Sequence, residues 1–92
     1  MKINQLSPCD AAYIAGLFDG EGSVYGKTFK VTQGVQGIHA LHYLKEKIGA
    51  GCVTLHRPET GNWQAVYVYK LQSESGKNQL LKQLEPYLLI KT

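Results

Sequence analysis

The chain has 92 residues, 43% hydrophobic and 18% charged, which suits one small globular domain and excludes a deep-clefted enzyme or a doubly wound nucleotide-binding sheet. Ten Lys/Arg against seven Asp/Glu give a formal charge of +3 and a pI near 8.9, a balance that leans toward polyanionic partners. No apolar run approaches the roughly 18 residues of a membrane span. The opening MKINQLSPCD lacks the apolar stretch of a signal peptide. Two cysteines, Cys9 and Cys52, cannot staple a small secreted scaffold, so both read as free thiols of an intracellular, non-secreted protein. No Cys/His cluster has zinc spacing.

Ser7-Pro8-Cys9-Asp10 is a helix start: Ser7 can cap, Pro8 suits the first helical position, and Asp10 can close a capping box. This helix runs to about Gly20 and is stopped by Gly22. Ser23–Tyr25 and Phe29–Gln33 then flank a turn containing Gly26. Gly34 to Gly37 reads as a loop before a second helix over Ile38–Ile48, with Ile38, Leu41, Leu44 and Ile48 as its apolar stripe. His39 and His42 fall on its solvent side. Cys52–His56 and Trp63–Leu71 flank a polar turn holding Pro58 and Gly61. A third helix over Gly76–Glu85 is stopped by Pro86. The order is α, then ββα twice, in one domain over residues 1–92. It predicts an α+β fold with a four-stranded antiparallel sheet covered by helices on one face only.

The first helix carries two distinct sides. Ala11, Ile14, Ala15 and Phe18 can cover a sheet. Ala12, Gly16 and Gly20 form a stripe of small residues at i, i+4, i+8, a spacing that lets two helix backbones approach closely. Another helix of the same domain, or a second copy across a two-fold axis, would satisfy it. Asp19 and Glu21 stand near the helix C-terminus, where negative charge is disfavoured. They are either two solvated acids or part of a divalent-cation site.

Ile14-Ala15-Gly16-Leu17-Phe18-Asp19-Gly20-Glu21-Gly22 resembles the LAGLIDADG motif of homing endonucleases. Phe29–Gln33 is similar to that family's second-strand segment, which ends in an active-site glutamine. Ile48-Gly49-Ala50-Gly51 is similar to its junction after the second helix. Leu84-Glu85-Pro86-Tyr87-Leu88-Leu89-Ile90-Lys91 is similar to its Pro-x-Leu-x-x-Lys ending. The resemblance implies an αββαββα fold and, with a single motif, a homodimer whose interface holds Ala12, Gly16, Asp19 and Gly20. It also implies double-strand DNA cleavage by Mg²⁺-dependent phosphodiester hydrolysis. In that reading Glu21 binds Mg²⁺, Asp19 is structural, Gln33 positions the attacking water or the metal, and Lys91 stabilises charge on the scissile phosphate.

Alternation along the later strands places Val53, Leu55, Val66 and Val68 toward the helices, and Thr54, His56, Ala65, Tyr67 and Tyr69 outward. Lys30 and Thr32 face outward on the earlier strand. With Lys27, Arg57 and Trp63 near the loops, this face is either an ordinary solvated surface or a DNA-contact surface. Lysine and arginine would meet phosphates there, and lysine, threonine and tyrosine would reach bases.

Three departures from the resembled pattern stand out. Only Ser23–Thr28 separate Gly22 from Phe29, so the first hairpin is short. Gly34 and Gly37 occupy positions where basic residues are expected. The metal-binding acid is Glu21 rather than aspartate. These departures keep open the alternative of a DNA-binding or dimerisation module that no longer cuts.

Overall fold

Pro8 opens the first helix, α1 (Pro8–Glu21), where its missing N–H is one that a first turn leaves unused. The Ser7 hydroxyl caps α1 by accepting from the Asp10 N–H at 3.1 Å. The computed structural model describes residues 2–58, 60–61 and 64–89. α1 leads directly into β1 (Gly22–Tyr25), and a Gly26-Lys27 turn returns the chain as β2 (Thr28–Gly34). Gly26 has φ +58° and no described non-glycine residue, Lys27 included, has a positive φ, the pattern of a tight II′ hairpin. A 3₁₀ turn (Val35–Gly37) precedes α2 (Ile38–Ile48). β3 (Cys52–Arg57), β4 (Val66–Gln72), α3 (Glu74–Leu84) and a closing 3₁₀ turn (Glu85–Tyr87) follow. α3 begins two residues earlier than Gly76, because the Ser73 hydroxyl caps it by accepting from the Gly76 N–H at 3.1 Å.

The four strands form one antiparallel sheet in the order β1-β2-β4-β3. One core joins its inner face to the helices. α1 supplies Ala11, Ile14, Ala15 and Phe18, as its apolar side predicts, and Leu41, Leu44, Ile48, Leu80 and Leu84 come from α2 and α3. Phe18 stacks on Phe29 at 4.8 Å between centroids, and Phe29 meets Tyr69 edge-on at 6.4 Å. Burying side chains of this size stabilises by roughly 1.5–3 kcal/mol each.

The register corrects the reading of β4. Directly opposed residues of an antiparallel pair share a face. Phe29 opposes Leu71, Val31 opposes Tyr69 and Gln33 opposes Tyr67. Tyr67 and Tyr69 therefore lie on the helix side, and Val66, Val68 and Lys70 on the other. A one-residue change of parity moves every side chain of a strand to the opposite face. Tyr69 is fully buried, and its hydroxyl donates to the Ala50 carbonyl at 2.7 Å. Burial pushes that phenol well above its usual pKa. Gly51 makes room for it: a Cβ there would lie 2.6 Å from the Tyr69 hydroxyl, and its φ of +93° disfavours any side chain.

The N-terminal segment before α1 also joins the core, which periodicity does not announce. Ile3 and Leu6 are buried, and their N–H groups donate to Gln79 and Gln83 of α3 at 3.1 and 2.7 Å. The Asn4 N–H donates to the Ile48 carbonyl at 2.9 Å.

Candidate nucleic-acid interface

The register sorts the open face of the sheet into rows. Ser23, Lys30, Lys70 and Cys52 make one row across all four strands. Thr32, Val68 and Thr54 make the next, and Gly34, Val66 and Arg57 the one beyond. Tyr25, Thr28 and Gln72 lie on the other side of the lysine row. Lys30 and Lys70 are thus directly opposed on the two central strands, an arrangement that is destabilising for like charges. Among the described residues no strand contains an acidic residue. Asp10, Asp19, Glu21, Glu46, Glu74 and Glu85 belong to helical segments, and Glu59 lies outside the described residues. The strands carry Lys30, Arg57 and Lys70 and no described acid, whereas the helices mix their acids with Lys45, Lys47, Lys77 and Lys82.

Among the residues expected on this surface, Lys30, Thr32, Thr54 and Arg57 stand on it, with exposed Lys27 in the hairpin turn. His56 is exposed on β3. Tyr67 and Tyr69 are withdrawn: Tyr69 is sealed in the core and Tyr67 packs partly buried against it. Trp63 lies outside the described residues. Sequence reasoning missed Lys70 and Tyr25, the latter 83% exposed on the open face beside the turn. Continuing the alternation to Lys70-Leu71 would have found Lys70, since leucine belongs inside and lysine outside.

At the end of α1, Glu21 is exposed. One carboxylate oxygen of Asp19 accepts the Leu89 N–H at 2.8 Å, which ties the end of the described chain to the motif helix. Gly22 opposes Val31, so positions 21 and 33 fall at the same end of the sheet. Gln33 is half-buried on the helix-side parity and lies along Gly37, where a Cβ would come within 2.5 Å of its Oε1. Gly37 thus accommodates the glutamine side chain. Lys91 lies outside the described residues. Among the described residues no group of three or more His, Cys, Asp or Glu could hold a metal ion.

The motif glycines divide into two kinds. A Cβ at Gly22 would collide with the Phe18 ring and lie 2.8 Å from its Cα, so packing within the chain excludes any side chain. A Cβ at Gly16 or Gly20 would meet nothing within 4 Å. Ala12, Gly16 and Gly20 are all exposed, and among the described residues none comes within 4 Å of where a Cβ on Gly16 or Gly20 would stand. Beside this stripe, exposed Tyr13 meets Tyr43 edge-on at 4.9 Å. The Tyr43 hydroxyl donates to Asp10, which holds that carboxyl below its ordinary pKa. Burial, then the bond to Asp10, pushes the Tyr43 phenol up to about 12.

Cys9 and Cys52 are free and exposed. Among the described residues no helix is long and apolar enough to cross a membrane.

No family model matches the chain, and no curated protein matches it by sequence. Its structure is similar to the homing endonuclease I-CvuI in complex with the I-CreI target in 2 mM Mg with the DNA not cleaved. The TM-score is 0.68 at 18% identity, over 88% of this chain and 57% of that one. The intron-encoded homing endonuclease I-CeuI complexed with DNA matches with TM-score 0.68 at 19% identity, over 94% of this chain and 47% of that one. The homing endonuclease I-TnaI matches with TM-score 0.63 at 20% identity, over 100% of this chain and 64% of that one. The α+β fold is that of the LAGLIDADG homing endonucleases. The chain spans less than two thirds of the length of each of these structures.

Proposed function

We propose that this chain is half of a two-fold homodimer that binds double-stranded DNA on the open face of its sheet and hydrolyses both strands with Mg²⁺. The observation that carries the reading is the opposed Lys30–Lys70 pair on a sheet with no acid among the described residues. Two ammonium groups side by side repel, and a phosphate held between them turns the repulsion into attraction. Lys27 meets a further phosphate, and Thr32 and Thr54 lie where base edges would come.

The dimer is supported by the empty space over Gly16 and Gly20. A glycine inside a helix costs about 1 kcal/mol relative to alanine. Nothing among the described residues requires these two, whereas a second α1 crossing closely through Ala12, Gly16 and Gly20 does. Asp19, held on Leu89, fixes the end of the helix beside that crossing. Each chain brings one exposed motif carboxylate, Glu21, so a two-fold axis would bring two to one end of the interface.

Carboxylate and amide oxygens suit a hard cation that keeps most of its waters, and Glu21 with Gln33 is such a donor set. Mg²⁺ bound there would supply charge neutralisation and a more acidic water. Hydrolysis forms one P–O bond from water as another breaks in line. Glu21 would hold the cation, Gln33 orient the water, and Lys91 offset the charge growing on the phosphate.

A second reading keeps binding and drops cleavage. It is favoured by Gln33 lying along Gly37 and by Gly34, which leaves the end of β2 without a side chain. Selection of bound duplexes from a random pool, followed by incubation with Mg²⁺, Mn²⁺ or EDTA, separates the two. Cutting that needs metal and vanishes in Glu21→Gln supports the nuclease. Intact DNA under every condition supports the binding module.

A further inference from the structure

β3 contains one residue more than its partner can match. Leu55 opposes Tyr67 and Arg57 opposes Val66, so His56 and Arg57 together face a single residue of β4. Without that bulge, alternation from Leu55, which has the helix-side parity of Tyr67 although it is 53% exposed, would give His56 the open-face parity and Arg57 the helix-side one. With it, Arg57 shares a row with Val66 and Gly34 on the open face. A bulge re-aims side chains in this way and bends the strand locally.

We propose that the bulge at His56 aims Arg57 onto the DNA-facing surface as a second phosphate contact, separated from Lys30 and Lys70 by a neutral row. The inference rests on the DNA-binding reading above. Val66 and Lys70 are four residues apart on β4, about 13 Å along the strand. One DNA strand presents a phosphate about every 3.4 Å of helix axis, so two cationic points 13 Å apart span about four phosphate steps. Thr32 and Thr54 occupy the row between them, with Val68 buried beneath, where hydroxyls rather than charges face the duplex. The bulge thereby gives each chain two separated backbone grips in place of one local cluster.

The test is the salt dependence of binding to a 20-base-pair duplex, measured by fluorescence anisotropy between about 50 and 300 mM salt. Arg57→Gln should make the slope of log K against log[salt] shallower by about 1. The same drop should appear when Arg57→Gln is added to His56→Ala, which keeps the residue count of β3. It should be absent when Arg57→Gln is added to a chain from which His56 is deleted, since Arg57 no longer faces the duplex there. Circular dichroism establishes that each variant folds. If the deletion unfolds the chain, equal slopes for the parent and Arg57→Gln still overturn the inference. Steep salt dependence in the parent with no change in Arg57→Gln overturns the inference and leaves the DNA reading intact. No salt-dependent binding by the parent overturns both.

Discussion

The two faces of one sheet differ in almost every physical respect, although the same four strands build them. On the helix side, Phe29, Val31, Tyr69 and Leu71 are fully buried and join one apolar core. On the open side, Lys30, Thr32 and Lys70 alternate with them on the same strands, and two lysines oppose each other directly. Burial on one side supplies stability, which leaves the other side free to hold a repulsive arrangement. The motif glycines repeat the contrast: Gly22 is required by the chain's own packing, and Gly16 and Gly20 are required by none of the described residues.

The strongest challenge to the contrast is Phe29→Ala, which removes the ring between Phe18 and Tyr69. It should cost about 3–5 kcal/mol in chemical denaturation, a large fraction of the stability of a domain this small. Next in size is Gly22→Ala. The overlap with Phe18 should destabilise by about 1–3 kcal/mol. Gly16→Leu meets no such clash and should leave the fold intact while abolishing the dimer in sedimentation velocity. A stable dimer of Gly16→Leu would remove the reason given for the exposed stripe. Lys70→Gln should leave the unfolding midpoint unchanged or slightly raised, because it relieves repulsion with Lys30.

The smallest effect concerns Asp10 and Tyr43 on the outer side of the helices. Asp10 is held below its ordinary value by the Tyr43 hydroxyl, so its contribution is present above that value and lost as pH falls through the lowered one. Tyr43 is raised, so its contribution is present below about pH 10 and is lost as pH rises toward about 12. Tyr43→Phe should return the Asp10 carboxyl toward 3.8 in an NMR titration. An unchanged Asp10 titration would contradict the hydrogen bond.

The element order was legible because caps, glycines and apolar stripes agree along the chain. Ser7-Pro8 and the Ile38–Ile48 stripe are cases where local chemistry alone sets a boundary. The facing of β4 was not, because Val66-Tyr67-Val68-Tyr69 is apolar in both parities. Only Lys70-Leu71, read together with the β2 register, decides it. The burial of Ile3 and Leu6 was illegible for another reason, since it depends on glutamines of α3 more than 70 residues away. The bulge at His56 leaves no periodic signal, so the aim of Arg57 could not be read from the strand alone.

The open face as the DNA-binding surface is tested most directly by duplex affinity across a salt series, comparing the parent with Lys30→Gln/Lys70→Gln. A salt slope shallower by about 2, with an unfolding midpoint that does not fall, is the result this structure predicts. An unchanged slope in a folded double variant would contradict it.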